Sequence, residues 1–148
     1  MNLKVKNIIS VCILIILIVF PLNSVMSQEY KSMEGVTSVK NVFDFRVGNP
    51  EVMLGHLNLI HSMMSNQSLV IDGKKPDFVI VFLGPAVNQI STDKMSEHSE
   101  DIADKISEME KDGMRFEVCM TAAHAHDVSP DSILPEIKQV GNGWISII

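Results

Sequence analysis

Hydrophobic and polar positions along this chain fall into blocks whose period switches between two and about 3.6 residues, the signatures of strand and helix. "VKNVFDFRV", Val39–Val47, sets apolar residues at Val39, Val42 or Phe43, Phe45 and Val47, and predicts a strand whose alternation slips once. In "GNPEVMLGHLNLIHSMMSN" Asn49 can cap and Pro50 suits the first helical position. Val52, Met53, Leu57, Ile60 and Met64 follow on one face, so a helix is predicted from Pro50 to Ser65. "DGKKPD" is turn chemistry, and "FVIVFL", Phe78–Leu83, is a continuous apolar run of strand length, as in a strand covered on both faces. "GPAV", Gly84–Val87, breaks that run. From Ser96 to Asp112 the residues Ile102, Ala103, Ile106 and Met109 share a face, charges occupy the rest, and Gly113 sits just past the end, which predicts a second helix. Arg115–Cys119 predicts a strand and Met120–Asp127 a short helix. "SPDSILPEI" predicts a turn with Ser129 as cap and Pro130 as first residue. "IKQV", Ile137–Val140, predicts a last short strand, after which "GNG" turns the chain into "WISII".

Strands alternating with helices imply an α/β fold: a single domain with a mostly parallel sheet and helices on both faces, because parallel neighbours need crossovers and crossovers are right-handed. In such folds ligands gather at the carboxyl ends of the strands. Cys119 closes one strand and precedes a helix, and the oriented amides of a helix N-terminus favour an anion, so a thiolate is stabilised there. The competing reading is a packed thiol, since free cysteine behaves as a small hydrophobe.

The first residues change the setting. Lys4 and Lys6 precede an apolar run from Ile8 to Phe20, Pro21 ends it, and Val25 and Ser27 are the small residues a signal peptidase reads. Those 13 residues span roughly 20 Å as a helix, short of the roughly 30 Å of hydrocarbon a spanning helix crosses. Residues 1–27 are therefore expected to be a cleaved signal peptide of a secreted or periplasmic protein with no further membrane contact. The main rival is an uncleaved membrane anchor over residues 8–20. Residues 28–38 are polar and read as a tether, and 39–148 as the domain. Removing Lys4 and Lys6 moves the formal charge from −6 to −8, which argues against a nucleic-acid partner. Cys12 lies inside the apolar run and not at its end, so the lipoprotein reading is weak. Cleavage leaves Cys119 with no partner for an internal disulfide in a compartment that oxidises thiols.

Other chemistry finds less support. His124 and His126, two apart, point about 200° apart on a helix, and His56 and His61, five apart, about 140°, so neither pair converges on one ion and no metal is expected. His126 lies seven residues after Cys119, on the same helical face but roughly 10 Å further along the axis, too far for contact. His98 reads as surface, and the methionines as core filler. No Cys-x-x-Cys, Gly-rich phosphate loop or Ser/His/Asp signature occurs, so no cofactor is expected.

Three stretches carry a family resemblance: "FVIVFLGPAV", "DGMRFEVCMTAA" and "VSPDSILPEIKQVGNGWIS". From Lys40 to Ile148 the chain resembles the DsrE/DsrF-like proteins, in particular a secreted branch, whose fold is a three-layer α/β sandwich. The resemblance implies that Cys119 matches the cysteine of the sulfur-relay members, accepting a sulfane sulfur as a persulfide and passing it between a donor and an acceptor protein. It points to Gly84, Pro85, Ala86 and Val87 as a binding loop, and to a homo-oligomer, a trimer or hexamer. Members of the family continue past "GNGWIS" with the rest of a helix and a final strand, whereas this chain stops at Ile148, so the resemblance implies a domain that is short, and incomplete, at its C-terminus; if "GNGWISII" begins that helix, Trp144 and Ile147 share a buried face. The alternative is a non-catalytic oligomeric module that binds a small ligand or protein and whose cysteine only packs.

Overall fold

The computed structural model describes residues 30–148, and Met33–Ile148 forms one compact unit. The signal-peptide and anchor readings, with Cys12, lie outside the described residues. Four strands build the sheet: β1 (Lys40–Phe45), β2 (Asp77–Phe82), β3 (Arg115–Cys119) and β4 (Ile137–Val140), in the order β1-β2-β3-β4 and all parallel. Four α-helices accompany it: α1 (Pro50–Met64), α2 (Ser99–Lys111), α3 (Met120–Ala125) and α4 (Gly143–Ile147).

Local signals explain the helix boundaries. Asn49 caps α1 by accepting from the Val52 amide, and Pro50 opens it. Met53, Leu57, Ile60 and Met64 are buried as the periodicity requires. Val52 is not: it is 46% exposed, because the buried stripe runs through Met53 and Val52 lies one residue to its side. The helix predicted from Ser96 begins at Ser99, since Ser96 donates its amide to the Ser99 hydroxyl in the turn before it. At its other end Gly113 takes φ +97°, a left-handed conformation that ends a helix with little strain when the residue is glycine.

Burial follows the pleat. On one face Phe45, Phe78, Ile80, Phe82, Phe116 and Val118 meet α1, α2 and Ala123 of α3 in the main core. The aromatic rings interlock there, Phe43 on Phe78 at 5.2 Å and Phe45 on Phe82 at 5.6 Å, both edge to face. Val79, Val81, Leu83 and Cys119 point to the opposite face and form a smaller cluster with Val42, Ala122 and Ile147. α4 packs across β1, β2 and β3 on that second face. Helices thus lie on both sides, but unequally: strands laid down in strict chain order with right-handed crossovers send every connection to the same side. β2, the strand predicted to be covered twice, is buried on both faces.

Candidate functional site

The parallel register aligns the carboxyl ends of the four strands, with Phe45 beside Phe82, Phe82 beside Val118 and Cys119 beside Val140. The residues at or just beyond those ends meet in a cavity of about 330 Å³. Arg46 comes from the end of β1, Leu83 and Gly84 from β2, Cys119 from β3, and Asn142 from the turn after β4. Thr121, Ala122, Ala125 and His126 form the α3 wall, and Trp144 the α4 wall. The cavity is therefore mostly apolar, and its polar groups converge from several elements, the usual make-up of a small-ligand pocket.

Cys119 stands at the junction of β3 and α3, as the sequence predicts, and is 2% exposed. Its cover is the start of α4. A Cβ placed on Gly143 would lie 2.8 Å from the Cys119 Cβ and 3.1 Å from Val81 Cγ1, so only a glycine lets the α4 backbone settle onto the strand end. The first turn of α3 is not wholly open to an anion either. The Thr121 amide donates to the Gly141 carbonyl at 3.2 Å, and the Thr121 hydroxyl donates to the same oxygen at 2.8 Å.

Arg46 supplies the positive charge. Its Nε and Nη2 donate to the two carboxylate oxygens of Asp44 at 2.8 and 3.0 Å, a two-pronged clasp that fixes the guanidinium plane. Hydrogen bonding to Asp44 raises the Arg46 pKa above its ordinary value. The same guanidinium lies 4.3 Å from the centre of the Trp144 ring. Trp144 is 52% exposed, so the buried face expected for Trp144 and Ile147 is not formed: Ile147 packs against the small cluster while Trp144 turns outward beneath Arg46.

The structure separates the residues of the "GPAV" loop. Gly84, with φ +52°, opens a 3₁₀ segment, Gly84–Ile90, and lines the cavity. Pro85 is exposed and packs against Gly48, while Ala86 and Val87 are fully buried in the main core and do not line the cavity. The "HAH" pair divides as its angular separation requires: His126 shares the cavity with Cys119, because α3 ends at Ala125, whereas His124 is exposed in a separate cleft beside Met120, Asp127 and Val128. His56 stacks edge-on to Phe45, and His61 bonds to Asp112 at 2.7 Å. Among the described residues no group of three His, Cys, Asp or Glu side chains is placed to hold a metal ion.

Arg46, Thr121, Asn142 and Trp144 line the cavity although none of them is among the site residues expected from the sequence. Arg46 and Asn142 could have been found by one rule, that the residues just past parallel strand ends build the site. Trp144 could not, because its place depends on where α4 lands.

An all-parallel sheet with a cysteine-floored cavity at its strand ends defines a class of α/β protein rather than a single activity. The profile of the DsrE/DsrF-like family matches residues 54–147, more than half of the chain, and the protein belongs to that family. Among solved structures it is similar to MTH1491 of Methanobacterium thermoautotrophicum, described as a protein of unknown function. That likeness has 21% sequence identity and a TM-score of 0.59, covers 74% of this chain and 88% of the other, and concerns the fold. No curated protein matches the chain.

Proposed function

We propose that this DsrE/DsrF-like protein is an exported sulfur carrier in which Cys119 holds sulfane sulfur as a persulfide. The observation that carries the reading is the position of the Cys119 side chain in a mostly apolar cavity at the strand ends, with Arg46 at its rim. A thiolate at Cys119 would attack the outer sulfur of a donor persulfide, forming the Cys119 S–S bond as the donor S–S bond breaks and the donor leaves as a thiolate. The step is an exchange with no net oxidation. A thiolate of the acceptor then attacks the outer sulfur, takes it over and restores the Cys119 thiolate. The walls around the sulfur are mostly apolar, and Arg46 stands among them, paired with Asp44.

Export rests on the Lys4-to-Ser27 segment, and donor, acceptor and homo-oligomer rest on the family resemblance. Expression of the full chain in a Gram-negative host, followed by intact-mass measurement, is expected to give a mature protein starting at Gln28. A retained Met1 in the membrane fraction would favour the anchor. For the thiol, incubation with polysulfide is expected to add the mass of one sulfur atom, removable by reductant and absent from Cys119→Ser.

One observation favours the second reading, a binding module with a packed cysteine: Cys119 is 2% exposed. That reading holds if the folded protein takes up no sulfur while the unfolded chain does.

A further inference from the structure

We propose that α4 is a lid over Cys119, latched by the stacking of Trp144 on Arg46, so that the thiol reacts only when this latch releases. The inference rests on the reading of Cys119 as the reacting group and adds how that group is regulated. It starts from a contradiction within the site. Cys119 lines a cavity of about 330 Å³ yet is 2% exposed, so a ligand in the cavity finds the side chain screened. The backbone of α4 sits against it at Gly143, with no side chain between.

α4 keeps its position through its contacts with the rest of the domain. Three kinds hold it. The Asn142 side chain accepts from the Trp144 amide at 3.1 Å and caps the helix. Ile147 packs into the small cluster of Val79, Val81, Leu83 and Cys119. The third contact joins α4 to a different strand: Trp144 lies under Arg46, which Asp44 of β1 holds in place by its paired hydrogen bonds. Asp44, Arg46 and Trp144 form one chain from the first strand to the last described helix. This accounts for a large aromatic residue left 52% exposed: its partner is the guanidinium and not the core.

The two hydrogen bonds from Thr121 hold Gly141 against α3 on the near side of the lid. Release of Trp144 leaves α4 held over the sheet by Ile147, so the helix opens more often while the turn before it stays anchored, and the motion is a swing about Gly141 and Asn142. Gly84 and His126 keep their places on the walls, since neither belongs to the moving part.

The test is the alkylation rate of Cys119 by iodoacetamide in the full chain, followed by mass, for the wild type, Trp144→Ala, Arg46→Ala and the double variant. A surface cation–π contact corresponds to about a two- to five-fold shift in the opening equilibrium, so each single variant is expected to label at least that much faster. Because both belong to one latch, the double variant is expected to gain less than the product of the two single effects. Labelling through the lid is also expected to be nearly independent of urea well below the unfolding midpoint, whereas labelling through global unfolding would rise steeply with it. Equal rates in all four proteins, or a wild-type rate matching the unfolded chain, would overturn the lid. So would labelling that tracks global unfolding at every urea concentration. The sulfur-carrier reading fails separately: if Trp144→Ala alkylates faster but takes up no sulfur from polysulfide, the lid stands and the carrier does not.

Discussion

Gly141 and Gly143 flank one asparagine in "GNG", and the same substitution at the two positions is expected to have opposite consequences. At Gly143, the first residue of α4, alanine brings the usual gain for replacing glycine in a helix, up to about 1 kcal/mol. Against this the new methyl would lie 2.8 Å from the Cys119 Cβ and 3.1 Å from Val81 Cγ1. Both neighbours stand on the two inner strands, which cannot yield without disturbing the ladder, and forcing a methyl group into such packing costs about 1–3 kcal/mol. The overpacking outweighs the propensity, and Gly143→Ala should be destabilised by about 1–2 kcal/mol. At Gly141 an added Cβ meets nothing within 4 Å, and the backbone is not left-handed. Gly141→Ala should be neutral or stabilised by up to about 1 kcal/mol through the reduced freedom of the unfolded chain. Urea unfolding at neutral pH measures both, and an unchanged m-value shows that the comparison is one of stability alone. A Gly143→Ala protein as stable as the wild type would refute the close approach of α4 to Cys119, and with it the account of why that thiol is covered.

Two further predictions concern α1. Leu57 is fully buried and Leu59 is 64% exposed, so Leu57→Ala should lose about 2–5 kcal/mol while Leu59→Ala stays within about 0.5 kcal/mol of the wild type; equal effects would mean that the helix is rotated about its axis. The hydrogen bond from His61 holds the Asp112 carboxyl below its ordinary value. A carboxyl depressed in the folded state contributes stability above its unfolded value, of about 4, and that contribution disappears as pH falls through the lower folded one. Urea midpoints followed from pH 7 to pH 2 should therefore drop less below about pH 4 in Asp112→Asn than in the wild type, and parallel profiles would show that the pair does not couple α1 to α2.

The strand pattern was legible because its signals are local. Phe78–Leu83 is a run of apolar residues between a turn and Gly84, and the sheet places it where a strand buried on both faces must go. Cys119 could be placed at a strand end from spacing alone, since β3 begins after Gly113 and α3 follows at Met120. Trp144 could not. Its exposure depends on Arg46, about a hundred positions away in the chain, and no periodicity connects the two. The "GPAV" residues were read as one loop, yet the 3₁₀ turn rotates successive residues by about a third of a circle, so neighbours in sequence face different surroundings. His126 lines the same cavity as Cys119 because α3 stops one residue before it, a turn that helical spacing does not describe.

Strand order has a bearing on assembly as well as on shape. Each strand pairs with the one synthesised just before it, so every ladder closes over a short stretch of chain, and the sheet can grow by addition at one edge. Cys119 is in place once β3 has joined β2, but Gly143 reaches it only after β4 has joined and the chain has crossed back over the sheet. A chain that has not yet made this crossing leaves the thiol without the cover of Gly143. The cover over Cys119 is thus made later than the strand that carries the thiol, and a thiol reagent present during synthesis meets the cysteine before that cover exists.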